Sequence, residues 1–588
     1  MAILAAILLF LLLYIIPLGR RPLIIPDESR YAEIPREMAA SGDWIVPRLN
    51  GIRYFEKPVL GYWMTASAIG LFGKTAFAVR FPSALAAGVS ALILLLLLYH
   101  SGRGWRVGLI SAAAYLTSLA VFAIGTTNIL DSVFAMFITA TMAAFFFAYR
   151  QERPGIRDRY LILAGIFAGL AFLAKGFIGF ALPVIVIVPF MLWERRGREL
   201  VRRFWLPVIS AGLIALPWTM MIYLRESDFW NYFFWTEHIQ RFMSSNPQHP
   251  EPFWFFLPHI IWGALPWIVL FPAAMVGITR RFPRDPLLRF TTCWFFFIFI
   301  FFSISRGKLI TYILPCYPPL IIIILLGLFE YFARRKKKMA NGGAIILGVL
   351  FVVLSAGLII SQMTGFPVQR FFNRSENWKW IVAAVGLLIW SGGLLFSARQ
   401  KNPLKKLLIF CAAPMFIFFA SHYIFPAAAA EGKAPENFLR DNLWKIKPGT
   451  ILVSDSYCAP ALCWVYDRND VLLLEYEGEL EYGLNYDDAR GRCLSFEQFR
   501  EMVGRPGDAE SVILFLDSDR SRECYRHIPR PTHVKTGDGF VLARFDRAKT
   551  EDEIPIFDNH SPGLYRDNEN GGTLIVGSSS THTGVKMD

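Results

Sequence analysis

Directly after the first apolar run, residues 2 to 18, the chain places Pro26-Asp27-Glu28-Ser29-Arg30-Tyr31: two adjacent carboxylates, a guanidinium and a phenol at the edge of hydrocarbon. Ionisable groups are costly so close to lipid, and a cluster of them at a helix end points to a site, against the plainer reading of a solvated juxtamembrane loop. Asp27 sits at the exit of the run, where partial burial orients a carboxylate and tunes its protonation. Later in the same loop come Tyr54, Phe55, Glu56, Lys57 and Pro58. Lys57, fixed between Glu56 and Pro58, suits a phosphate as a compact point charge. Asn128-Ile-Leu-Asp131 sets a carboxylate at the start of another helix, a position the helix dipole favours in any case. The segment Trp235-Thr-Glu-His238-Ile-Gln-Arg241-Phe242 puts His238 and Arg241 three residues apart, on one face of an α-helix. A lone histidine is more often hydrogen-bonded than metal-bound, so a metal there needs further ligands.

These residues hang on a frame that composition defines. A chain of 588 residues with 54% hydrophobic residues, 52 Phe, 17 Trp and only 18% charged residues is no soluble globule, because its apolar surface exceeds any single core. Runs of spanning length lie near residues 2–18, 79–99, 107–124, 128–148, 160–174, 176–193, 204–223, 258–278, 288–304, 309–331, 342–361, 378–397 and 405–425. They predict an all-α polytopic membrane protein with about 13 transmembrane helices. A formal net charge of +14 raises nucleic acid as a partner, but the location of the charge excludes it. The basic residues gather at alternate connections: Arg103 and Arg106; Arg150 to Arg159; Arg195 to Arg203; Arg280 to Arg289; Arg334 to Lys338; Arg399 to Lys406. The positive-inside rule makes these six loops cytoplasmic. The N-terminus is then cytoplasmic, and loops 20–77 and 224–257 lie outside with everything after residue 426. Parity closes if Val59 to Phe72, about fourteen residues, is an interfacial or re-entrant helix. The first run lacks the basic flank and small-residue cleavage site of a signal peptide. Lys308, in Ser305-Arg306-Gly307-Lys308, and Lys175, in Lys175-Gly176, are outer cations that run against the rule, and anionic lipid headgroups supply the reason.

The membrane region occupies residues 1–429. Alternation in Thr450 to Ser454 and Val512 to Leu516, with a helical stretch at Ser495 to Val503, predicts a C-terminal soluble α/β domain over residues 430–550. Cys458, Cys463, Cys493 and Cys524 lie in it, free to pair in an oxidising compartment or to remain buried thiols. Residues 551–588, rich in Asn, Gly, Ser and Thr, read as a mobile tail. P-loop, Gly-rich dinucleotide turn, Cys-x-x-Cys and nucleophile elbow are all missing, so an enzymatic reading rests on the outer loops. In the first loop, Tyr31, Ile34 and Met38 have helical spacing; Ile34 to Ala40 is expected on the bilayer surface, with Glu33, Arg36 and Glu37 on its solvated face and Trp44 at headgroup level.

The motifs PDESRYAEIPREM, YFEKPVLGYW, FGKTAFAVRFPSAL, EHIQRF and SRGKLITYILPCYPPL together resemble the lipid A aminoarabinose transferase family, within the GT-C membrane glycosyltransferases related to protein O-mannosyltransferases. The likeness runs from the first loop to the tenth span. It departs at Val59, where the family's EKPP pattern has proline, and at Gly307 within SRGK; neither change removes a charged group.

The resemblance implies transfer of 4-amino-4-deoxy-L-arabinose from undecaprenyl phosphate to a lipid A phosphate in a bacterial inner membrane. Active site and C-terminal domain would be periplasmic. Cleaving the sugar–phosphate bond develops positive charge at the anomeric carbon and negative charge on the leaving phosphate. Asp27 and Asp131 would serve the first, and Lys57, Arg241 and Lys308 the second, with Glu28, Arg30, Tyr31 and Tyr54 lining the substrate. An acceptor phosphate is already ionised and needs no general base, so Asp27 would position or stabilise. Such an enzyme inverts by direct displacement. No cofactor is required, although Glu56 and His238 could hold a Zn²⁺ or similar ion near the donor phosphate. Expected partners are the lipid-linked donor, lipid A and membrane lipid, around a monomer. The alternatives are a related transferase acting on protein or glycan, whose alcohol acceptor would need a true base, and a transporter or flippase. Charges at outer helix ends rather than a midplane site speak against the last.

Overall fold

The computed structural model describes residues 2–240, 250–279, 282–366, 370–447, 449–504, 511–546, 563–567 and 573–577. The chain divides into two units: Met1–Arg21, Met38–Pro47 and Phe55–Pro426 form the first; Pro22–Glu37, Arg48–Tyr54 and Ala427–Asp588 form the second.

The first unit is helical because apolar segments in lipid must pair their backbone groups internally. Each of the thirteen apolar runs falls on one to three consecutive helices. Among the described residues, eight helices are long and apolar enough to cross a membrane, or ten if each of two bent pairs is one crossing. The pairs are Trp105–Leu116 with Leu119–Gly125, and Phe256–Gly263 with Trp267–Ile278. The second bend, 93°, falls at Pro266, where proline cannot continue the helix. The stretch from Val59 becomes the helix Leu60–Phe72, thirteen residues long, with Gly61, Tyr62, Thr65, Ala66 and Ala68 buried. Gly61 brings this helix close to the start of the Leu130–Arg150 helix: a Cβ there would stand 2.3 Å from a Leu130 methyl, which would have to turn away. Arg80, from the FAVRF motif, is fully buried and donates to the carbonyls of Leu18 (3.1 Å) and Arg21 (2.8 Å), an internal clamp rather than a ligand contact.

The second unit is an α/β fold. Its strands are β1 (Arg48–Leu49), β2 (Ile52–Arg53), β3 (Ile451–Ser454), β4 (Leu472–Leu474), β5 (Cys493–Leu494), β6 (Ser511–Asp517), β7 (His533–Gly537) and β8 (Phe540–Asp546). The main sheet has the order β5-β4-β3-β6-β8-β7. β3 to β6 are parallel, while β8 runs antiparallel to β6 and β7 to β8. Helices Ala459–Tyr466 and Phe496–Gly504 make the crossovers, and Val453, Leu474, Phe499, Val512, Leu514 and Phe545 share the core. All seven cysteines are free, with Cys458 and Cys463 buried. In the tail, Gly563–Asp567 pairs antiparallel with Thr573–Gly577; its remaining residues lie outside those described.

Within the stretch 20–77, residues 22–37 and 48–54 belong to the second unit. One expectation for this loop is corrected: Glu33, Arg36 and Glu37 are not on a solvated face, since Glu33 is fully buried and Glu37 nearly so, on the helix Asp27–Ser41. The physical reason is that each finds a partner inside. Arg36 grips Glu33 bidentately at 2.7 and 2.5 Å and donates to the Arg468 carbonyl at 3.1 Å. The Gly51 N–H donates to Glu37 Oε2 at 2.9 Å. Burial pushes both carboxyls up, against the Arg36 guanidinium and the Gly51 N–H, which favour the charged forms. β1 and β2 are joined by Asn50 (φ 57°) and Gly51 (φ 73°), the Asn-Gly pair that a two-residue hairpin turn demands. Asn50 is fully buried; its amide donates to the Val471 carbonyl at 2.7 Å and accepts from the Val471 N–H at 3.0 Å.

Candidate functional site

In the first unit the charged residues gather where Leu60–Phe72 meets the start of Leu130–Arg150. Asp131, in the first turn of that long helix and 7% exposed, is ion-paired with Lys175 at the end of Pro154–Lys175. The Lys175 ammonium also lies 4.5 Å from the Tyr312 ring centre and 5.7 Å from that of Phe134. A buried carboxylate and ammonium held between aromatic faces form a strongly directed pair, because the low dielectric leaves little to screen them. Beside it, Glu56 is buried: Tyr232 donates its hydroxyl to Oε1 at 2.7 Å, and the Lys57 ammonium stands 3.7 Å from Oε2. Lys57 also donates to the Glu56 carbonyl at 2.8 Å, and its charge reaches Lys175. Phe55 packs edge-on against Phe229 at 5.0 Å, fixing the segment that carries Glu56 and Lys57. Two anions and two cations are thus embedded among aromatic rings.

Lys308 is also buried in this unit, and burial lowers its ammonium from the usual lysine value. It donates to the Glu251 carbonyl at 2.7 Å. The SRGKLITY segment therefore meets the Asp131–Lys175 pair through Tyr312. The stretch Asn231–Gln240 is π-helical. The His238 side chain and Arg241 lie outside the described residues, as does any meeting of His238 with Glu56. Glu56 is engaged by Tyr232 and Lys57, and a metal held by Glu56 would have to share it with both.

In the second unit Asp27 opens the helix Asp27–Ser41, its side chain 54% exposed, and is paired with Arg30. Arg30 is itself nearly buried between Asp27, Glu479 and the Tyr31 ring, whose centre is 5.2 Å away. Tyr54 donates to the same Glu479 at 2.5 Å. Asp27, Arg30, Tyr31 and Tyr54 therefore converge, joined through a glutamate that no sequence signal marked. Glu28 differs: it is buried, and its carboxylate accepts from the Ile24 N–H at 3.1 Å, fastening the turn that leads into the helix. Lys175, Tyr232 and Tyr312 are likewise additions. Lys175 alone carried a hint, as a lysine placed against the charge rule.

Comparison with known proteins finds two family models. Residues 1–233 match dolichyl-phosphate-mannose-protein mannosyltransferase, and residues 430–544 match the C-terminal domain of arabinosyl transferase ArnT. The undecaprenyl phosphate-alpha-4-amino-4-deoxy-L-arabinose arabinosyl transferase of Aeromonas hydrophila is 37% identical, over 87% of this chain and 93% of its own. Enzyme 1 of that name from Sodalis glossinidius is also 37% identical, over 92% of this chain and 96% of its own. The crystal structure of ArnT from Cupriavidus metallidurans bound to undecaprenyl phosphate superposes with a TM-score of 0.78, at 23% identity, covering 94% of this chain and 98% of that one. The shared fold is that of a multi-pass membrane protein.

Proposed function

Because the chain belongs to the undecaprenyl phosphate-alpha-4-amino-4-deoxy-L-arabinose arabinosyl transferase family, we propose that it moves 4-amino-4-deoxy-L-arabinose from undecaprenyl phosphate to a phosphate of lipid A. The observation that carries this reading is identity of 37% across 87% of the chain, which takes in both units. The buried charges of the first unit support it, since ionisable groups among membrane helices are retained where they serve a substrate.

In the reaction an acceptor phosphate oxygen bonds to the anomeric carbon as that carbon's bond to the undecaprenyl phosphate oxygen breaks, and the leaving phosphate keeps the electron pair. Each unit offers a carboxylate with a cation at hand, Asp131 with Lys175 and Asp27 with Arg30. Either carboxylate can stabilise charge at the anomeric carbon or position the sugar. Lys57 and Arg241 are assigned to phosphate, and Lys308, with burial favouring its uncharged form, to the same chemistry more weakly. The acceptor is already ionised, so neither aspartate need remove a proton. Displacement in one step inverts the anomeric centre.

We assign thirteen crossings to the thirteen apolar runs, which places the second unit and the loop at 224–257 on the periplasmic side of the inner membrane. Mass spectrometry of lipid A from cells with and without the protein tests the function: a mass increment of one aminopentose that depends on the protein is expected, and identical spectra refute it. Reporters fused after residues 338 and 545 test the orientation, with cytoplasmic and external signals expected.

A further inference from the structure

At the C-terminal ends of β3 and β6 the second unit holds a group of side chains outside those assigned above to sugar transfer. From β3 the chain crosses to β4 and β5 on one side, then returns to β6 on the other. These two strands therefore flank the switch point of a doubly wound sheet, where open α/β folds bind their ligands. Asp455 follows β3 directly and Asp517 ends β6. Each commits Oδ1 to the turn that follows. Asp455 Oδ1 accepts from the N–H groups of Tyr457 and Cys458, both at 2.8 Å. Asp517 Oδ1 accepts from those of Asp519 (3.0 Å) and Arg520 (2.9 Å).

The second carboxylate oxygens remain. Asp455 is 2% exposed, yet its Oδ2 accepts no hydrogen bond among the described residues. Its counter-charge is Arg520 Nη1 at 3.4 Å, and that guanidinium is shared with Asp517 Oδ2 (3.8 Å) and with the rings of Tyr457 and Tyr476, each 4.5 Å away. One carboxylate oxygen from each aspartate and the Sγ of fully buried Cys458 all lie within 4.8 Å of one another. A buried carboxylate that keeps one oxygen without a hydrogen bond, is grouped with a thiol and a second carboxylate, and is faced by a guanidinium it must share can take a further cation.

We propose that Asp455, Cys458 and Asp517 bind one divalent ion of the zinc class. The donor set fits: one thiolate and two carboxylates make a three-ligand site whose fourth position is left to water, and a thiolate selects Zn²⁺ or Co²⁺ over Mg²⁺ or Ca²⁺. Binding forms one metal–sulfur and two metal–oxygen bonds, and the Cys458 thiol releases its proton to solvent. With three anionic ligands, a divalent ion and Arg520, the filled site is electrically neutral. Asp517, about a quarter exposed at its side chain, gives the ion a path from solvent. The site shares no residue with the Glu56 and His238 assignment and does not depend on the sugar-transfer reading.

Cobalt titration of the full-length protein in detergent tests the proposal, because only a cysteine ligand produces a thiolate-to-cobalt charge-transfer band. The band is expected in the wild type, absent in Cys458→Ser and retained in Cys493→Ser. Asp517→Asn keeps size and a helix-capping oxygen, and should raise the Kd for Co²⁺ by about tenfold or more. Thermal melting of the metal-free variants verifies their folding, and Asp517→Asn carries the test if Cys458→Ser does not fold. No band in the wild type, a band surviving in Cys458→Ser, or an unchanged Kd in Asp517→Asn overturns the site and leaves the Asp455–Arg520 ion pair as the whole explanation.

Discussion

Asp131 and Asp27 occupy equivalent places in the sequence, each opening a helix beside an apolar run, and each is ion-paired. Their surroundings differ. Asp131 and Lys175 are buried between aromatic rings, whereas Asp27 is 54% exposed and shares Arg30 with Glu479. Sequence position identifies an acid worth testing, while burial decides what its loss costs. Removing one partner of a buried pair leaves a charge without compensation; removing an exposed one leaves a charge that water can solvate.

The largest effect should therefore come from Lys175→Met. It is expected to cost about 3–5 kcal/mol of stability and to abolish transfer, while Asp131→Asn with Lys175→Met regains most of the melting temperature and none of the activity. A single variant as stable as the wild type would erase the distinction between the pairs. Asp27→Asn should do the converse, slowing sugar transfer by roughly 10²–10³-fold while shifting stability by less than about 1 kcal/mol. Full activity in a lipid A transfer assay would take Asp27 out of the chemistry. Lys57→Ala should weaken undecaprenyl phosphate binding by about 1–3 kcal/mol, the range for a hydrogen bond to a charged group; an unchanged Kd by calorimetry ends its assignment to phosphate.

The smallest effect sharpens the exposed side of the comparison. Hydrogen bonds from Arg468 hold the Asp470 carboxyl below the usual aspartate range. Burial pushes Asp488 up, but Arg53 and Arg48 outweigh it and hold that carboxyl low as well. Both folded values lie below the unfolded one of about 3.9, so their stabilisation is complete above that pH and is lost as pH falls through the folded values. Each pair is exposed, and its contribution should be under about 1 kcal/mol. The hydrogen-exchange protection factor at residues 48–54 should fall as pH drops below about 4, and a protection factor that does not change with pH would show that the Asn50 network alone holds the hairpin.

Much of the framework was legible in the sequence because membrane helices and parallel strands leave periodic, local signals. All thirteen apolar runs fall on helices, and the alternation at 450–454 and 512–516 lies on β3 and β6. The first loop was misread because its partners are remote. Glu33 and Glu37 look like any polar helix face, and nothing nearby announces that Arg36 reaches the Arg468 carbonyl or that Asn50 pairs with Val471. The Asn50-Gly51 turn did carry a local signal, the strongest short hairpin motif there is. Asp131 was visible at a helix start, but its partner lies 44 residues away, a distance that no periodicity spans. Glu479 had no signal at all.

The clamp on Asn50-Gly51 also sets an order in time. Residues 22–37 and 48–54 leave the ribosome early, yet carbonyls and amides that bind them belong to residues made after 430. At about 5–20 residues per second, roughly 20 to 75 s of synthesis separates the two. Throughout that interval Glu33, Arg36 and Glu37 have each other but not Arg468 or the closed hairpin seat, so the segment is open to proteases and to wrong partners. A nascent chain stopped before residue 430 should keep it open indefinitely, which makes completion of the last domain the event that closes the first loop.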